Sequence, residues 1–162
     1  MSESREPPSG YKRVASKLGF SDQLQPYYRR ILGSDVSFGF FVGEQHLNLM
    51  NICHGGALMT LADIAAASSI NRLSETPRPM PTISLSFDFQ SPGKPGRWLH
   101  TQAQNVELKR RFGFCSGVVL DQDKVVLRYS GVFYFPDENR GDPTRTADAM
   151  QALSGDSAPA DD

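Results

Sequence analysis

Residues 57–73, ALMTLADIAAASSINRL, are apolar on nearly every side of a helical wheel and follow directly on Gly55-Gly56. Alanine, leucine and methionine favour helix, and a helix with no polar face belongs in an interior rather than on a surface. A chain holding such a helix must also supply a layer that wraps it. The one ionisable residue between His54 and Arg72 is Asp63. A carboxylate in that setting is costly unless it is paired, hydrogen-bonded or turned toward a cleft.

The wrapping layer is legible after the proline-rich link ETPRPMP. Four strand patterns follow, at 82–90, 97–108, 111–120 and 124–135, rich in β-branched and aromatic residues. The first alternates Ile83, Leu85, Phe87 and Phe89 with Ser84, Ser86 and Asp88, which predicts one buried face and one wetter face. Asp121-Gln122-Asp123-Lys124 reads as a short hairpin turn and Ser91-Pro92-Gly93-Lys94-Pro95-Gly96 as a longer one. Upstream, 36–42 (VSFGFFV) is a further strand, and 12–32 reads as one or two short helices interrupted by Pro26. One strand, one buried helix and an antiparallel meander predict an α+β fold with a sheet wrapped round a helix.

A chain of 162 residues suffices for one domain with a real core. The expected division is a flexible segment over 1–10, a domain over 11–136 and a polar tail over 137–162. That tail has few large apolar residues, so it is expected to be disordered, with a short helix around 146–153 as the alternative. The formal net charge of -1 gives no reason to expect nucleic acid as a partner. No apolar run approaches the length of a membrane span. Cys53 and Cys115 form neither a disulfide framework nor a zinc spacing. With no apolar leader segment at the N-terminus, a reducing cytoplasm is the expected location.

The chemistry concentrates in His46-Leu-Asn48-Leu-Met-Asn51-Ile-Cys-His54-Gly55-Gly56 and in Asp63. Gly55 and Gly56 open the helix, so its first N–H groups are unshielded by side chains. Together with the helix dipole they make a donor site for a carbonyl oxygen or a developing oxyanion. Each part alone has an ordinary structural explanation, a tight turn for the glycines and a satisfied buried acid for Asp63; the combination at this spacing is more specific.

The run HLNLMNICHGGALMTLAD resembles the signature of hotdog-fold acyl-CoA thioesterases, His-x-Asn-x-x-Gly-x-x-His-Gly-Gly…Leu-x-Asp, in the branch like the phenylacetate-degradation thioesterases. The likeness extends over about residues 36–135, with FQSPGKPG and SGVFYF among the matching segments. Asn51 stands where the signature has glycine, and asparagine is the side chain most tolerant of the left-handed region. The resemblance implies a hotdog fold and hydrolysis of an acyl-CoA to free acid and CoA, with no cofactor beyond the CoA of the substrate. It implies that the Gly55 amide polarises the thioester carbonyl, with Asn48 orienting substrate or water. Asp63 would be general base or nucleophile, Thr82 would help hold the water, and His54 would orient the thioester or the loop. It further implies a homodimer, often doubled to a tetramer, with the acid of one subunit facing the Gly-Gly turn of the other.

For the CoA phosphates the candidates are Arg110 and Arg111 in the basic turn after Lys109 and Lys94 in the preceding hairpin, with Gly56 at the helix start as a further substrate contact; a solvated basic turn reads the cationic residues equally well. Met59, Phe87, Phe89 and Phe112 are candidates to line an acyl pocket. Two rivals stand beside hydrolysis. A hydratase on the same fold would carry its His after the acid, whereas here Asp63 follows His54. A non-catalytic binding module for acyl-CoA or an aromatic ligand would not need the acid. Gly113-Phe-Cys115-Ser-Gly117 superficially matches a nucleophile elbow, but a strand and hairpin follow it rather than a helix. His46 and His54 lack a third metal ligand nearby.

Overall fold

The computed structural model describes residues 5–137 and 142–154. Among them seven strands form one antiparallel sheet: β1 (Lys12–Arg13), β2 (Tyr28–Leu32), β3 (Asp35–Phe41), β4 (Thr82–Phe89), β5 (Trp98–Lys109), β6 (Phe112–Asp121) and β7 (Lys124–Tyr134), ordered β1-β2-β3-β5-β6-β7-β4. The helix α1 (Gly55–Asn71) lies in the roll, with Ala57, Leu58, Leu61, Ala62, Ala65, Ala66 and Ile70 buried against Phe38, Phe40, Leu99, Val119, Leu127 and Phe133. This is the hotdog fold, with the sheet as the wrapping layer that an apolar helix requires.

Small residues set how closely the layers meet. A β-carbon on Gly113 would fall on the Ile70 side chain, so glycine lets β6 approach the helix. One strip of α1, containing Met59, Thr60, Asp63 and Ala67, is exposed or half-buried.

Three expectations need correction. First, 12–32 holds a single 3-10 turn (Gly19–Leu24) between β1 and β2 rather than one or two helices. Lys17 and Gly19 take positive φ and Pro26 cannot continue a helix, while Tyr27 and Arg29 turn into the core. The turn is fastened by Asp22 Oδ2, which accepts from the N–H groups of Lys17, Leu18 and Gly19 at 3.0–3.1 Å. Second, only Leu85 and Phe87 of the β4 apolar face are half-buried, and Ile83 and Phe89 are 60% and 54% exposed. The reason is position, since β4 is an edge strand paired only with β7.

Third, the tail read as disordered carries the helix α2 (Pro143–Ser154), which contains the 146–153 alternative. Asp142 Oδ1 caps its first turn by accepting from the Thr144 and Arg145 N–H groups at 2.9 Å. Ala152 joins the core, and Arg29 donates to its carbonyl at 3.3 Å. Residues 138–141 and 155–162 of that tail, and 1–4 of the N-terminal segment, lie outside the described residues. Arg5, in the segment read as flexible, donates to the Gly96 carbonyl at 2.6 Å. No helix among the described residues is long and apolar enough to cross a membrane.

Candidate active site

The loop into α1 is built round His46. Its ring is fully buried and stacked on Phe40 at 4.2 Å. Nδ1 accepts from the Gly43 N–H at 2.9 Å, so the ring proton sits on Nε2, which donates to the Leu24 carbonyl at 2.8 Å. The His46 carbonyl in turn accepts from the His54 N–H at 2.7 Å. Burial holds the pKa below the ordinary histidine value, against the opposing pull of its backbone hydrogen bonds. His46 is thus an anchor of the loop.

Asn48 folds the loop tip. Its Oδ1 accepts from the N–H groups of Met50 at 2.9 Å and Ile52 at 3.3 Å, and Asn51 takes φ 56. The left-handed turn that glycine serves in the signature is therefore kept by asparagine. The Asn48 carbonyl oxygen is committed to this turn, which leaves its Nδ2 as the group available to a ligand. At the tip Leu49 stands fully exposed and Met50 largely so.

His54 caps α1, its Nδ1 accepting from the Gly56 N–H at 2.8 Å. Of the two glycine amides, only that of Gly55 has no acceptor among the described residues. A side chain on Gly56 would press on His54 Nδ1, at 3.0 Å from the β-carbon position, and one on Gly55 would meet the Phe89 ring at 3.1 Å. That placement of Phe89 over the helix start is a contact the sequence signals only by its inward parity in β4.

Two turns further along α1, Asp63 is half-buried and its Oδ1 accepts from the Thr82 hydroxyl at 2.7 Å. It has no cationic partner among the described residues. The structure therefore joins Asp63 with Thr82, and His54 with Gly55 and Gly56, but not one group with the other. Eight residues of helix separate Gly55 from Asp63, about 12 Å along the axis. One carbonyl group cannot touch both within a single chain.

The basic candidates also divide. Arg110 and Arg111 occupy the turn between β5 and β6, and Arg111 is paired with Asp137. Lys94 lies before β5 near the helix start, where the Cys53 N–H donates to the Gly93 carbonyl at 2.8 Å. The length of β5 puts the two sets on the order of 30 Å apart, so one CoA cannot use both from the same chain. Phe112 projects from the outer face beside Tyr134, away from α1, and is not placed to line the acyl pocket. Burial pushes the Cys53 and Cys115 thiols up to about 12, and Cys115 lies within β6, so neither is a ready nucleophile. Among the described residues no group of three or more His, Cys, Asp or Glu could hold a metal ion.

Residues 50–127, which include the helix start, Asp63 and Thr82, match the family described as Thioesterase superfamily. Over that segment the chain is similar to the thioesterase superfamily. A Pseudomonas aeruginosa relative named "Putative esterase PA0474" is 29% identical over 130 residues, covering 80% of this chain and 97% of its own. A mutant of the phenylacetic acid degradation protein PaaI from Thermus thermophilus superposes with a TM-score of 0.63 at 25% identity, covering 72% of this chain and 98% of that one. A hypothetical thioesterase protein of Streptococcus pneumoniae, solved with coenzyme A, gives a TM-score of 0.63 at 17% identity, over 80% and 98% of the two chains. The matched segment holds the helix start at Gly55, Asp63 and Thr82 together.

Proposed function

We propose that this protein hydrolyses an acyl-CoA thioester to the free acid and CoA, at sites formed between two copies of the chain. The observation that carries the reading is the hydrogen bond from Thr82 to Asp63, set on a helix whose start offers the unaccepted Gly55 N–H. With Asp63 as general base, water gives up a proton to the carboxylate and its oxygen adds to the thioester carbon. The oxyanion that forms is met by the Gly55 N–H, the C–S bond breaks, and the thiolate leaves with a proton. Asp63 as nucleophile would instead pass through an anhydride that water then opens. Thr82 fixes the carboxylate in either case. His54 holds the helix start in shape, and Asn48 Nδ2 is free to meet substrate or water.

The 12 Å spacing supports a dimer in which Asp63 of one copy faces Gly55 of the other, alone or doubled into a tetramer. The CoA-bound Streptococcus relative supports CoA as the leaving group. Lys94 and Arg110 are the cations left to meet its phosphates, because Arg111 is held by Asp137. The test is thiol release from a panel of short, long and aryl acyl-CoAs. Turnover is expected on some member, and Asp63→Asn should lower it by roughly 10²-fold or more. Absence of turnover on every acyl-CoA would favour a binding module, and a fully active Asp63→Asn would remove Asp63 from the chemistry.

A further inference from the structure

The outer face of the sheet carries a second cluster of chemistry. Trp98, the chain's single tryptophan, lies over Gly39, where a β-carbon would fall 2.5 Å from its Cζ2. Tyr11 and Phe41 meet the indole with ring centres 5.0 Å away, and Tyr28 at 5.8 Å. Trp98, Tyr11 and Phe41 border a cleft of about 480 Å³ that also takes in Arg30, Arg97, His100 and Asp121, within the range of small-molecule sites. Trp98, His100 and Gly39 alternate with the buried Leu99, Phe38 and Phe40, so the cleft opens on the face away from α1. It lies on β2, β3 and β5, toward the opposite edge of the sheet from β4.

The two arginines differ. Arg97 is neutralised by Asp121, with contacts of 2.6–3.1 Å. Arg30 has no carboxylate and no hydrogen-bond acceptor among the described residues. Its guanidinium lies over the Tyr11 ring at 5.0 Å, and its Nε is buried without a partner. His100 Nδ1, in the same cleft, is buried and unpartnered too. A half-buried cation facing only an aromatic ring is incompletely compensated. An anion would complete it, and the rings beside it suit a flat group.

We propose that this cleft binds a small anion carrying a planar ring, an aryl carboxylate or a mononucleotide, with the charge on Arg30 and His100 and the ring against Trp98 and Tyr11. Because Trp98 is the only tryptophan, its fluorescence reads occupancy of the cleft. Full-length protein would be titrated with benzoate and with AMP, while inorganic phosphate and benzyl alcohol supply the charge and the ring separately. A saturable change is expected with benzoate, AMP or both, and binding of phosphate and benzyl alcohol at least tenfold weaker. Arg30→Gln should weaken the response at least tenfold, and Phe41→Leu, which leaves the charge in place, severalfold. Asp63→Asn should bind as wild type, which separates this site from thioester hydrolysis.

Saturation by benzoate alone assigns the aryl carboxylate, and by AMP alone the nucleotide. Four results would overturn the proposal: no saturable change with either ligand, phosphate binding as tightly, Arg30→Gln and Phe41→Leu both binding like wild type, or loss of binding in Asp63→Asn.

Discussion

Gly55 offers a way to remove one hydrogen without removing a helix. Proline is favoured at the first helical position, where the N–H has no intrahelical acceptor, and His54 already holds the extended conformation (ψ 136) that must precede proline. Gly55→Pro should therefore keep α1 and lose the donor, lowering kcat by about 10²–10³. Gly55→Ala brings a β-carbon to the same place against Phe89 but retains the N–H, and should stay within about tenfold of wild type. Steady-state kinetics on both variants, with circular dichroism to verify the fold, checks this; equal losses would assign the effect to Phe89 displacement. The importance of Gly55 and Asp63 could be argued from the sequence because each is anomalous where it stands, a helix start without side chains and a lone acid among alanines. The histidines could not be separated that way. Only the contacts show that His46 ties down the loop and that His54 gives its Nδ1 to Gly56.

At the scale of elements, the loop from Gly43 to His54 depends on a neutral imidazole. Protonating His46 Nδ1 would place a proton against the Gly43 N–H and charge a ring with no solvent exposure. Its folded pKa lies below the ordinary value near 6.5, so below pH 6.5 the unfolded chain binds more protons than the folded one. Stability should be fully present above pH 6.5 and fall as pH drops toward the lowered folded pKa. Thermal melts between pH 7.5 and 5 should show that decline, and a shallower one in His46→Gln. The residual slope belongs to His100, lowered in the same direction by burial and then by Arg30. The elements legible in the sequence were those whose pattern is self-contained: the apolar run of α1 and the β-branched and aromatic stretches, bounded by turns, of β5 to β7. β2 and α2 were not, because Tyr27, Arg29 and Ala152 acquire a buried side only once distant parts of the chain meet.

For the whole molecule, the β4 edge and the partly exposed strip of α1 describe a surface that one chain leaves unfinished. Ile83, Phe89, Met50 and Leu49 are exposed there or at the neighbouring loop tip, and an apolar edge strand invites pairing with another chain. Ile83→Lys should shift the protein toward monomer in light scattering after size exclusion, and hydrolysis should fall in proportion to the dimer lost. A monomer that kept full activity would refute the two-copy site. Sequence could not give the exposure of β4, because alternation records which face is apolar and not what comes to cover it.

The distance between Gly55 and Asp63 has a genetic reading. If each catalytic centre draws one half from each copy, two disabled alleles can repair each other. Chains bearing Asp63→Asn and chains bearing Gly55→Pro, each inert alone, would on random assortment place one sound centre in every mixed pair. Equal co-expression should then restore about a quarter of normal turnover, since half of the pairs are mixed and each has one of two centres intact.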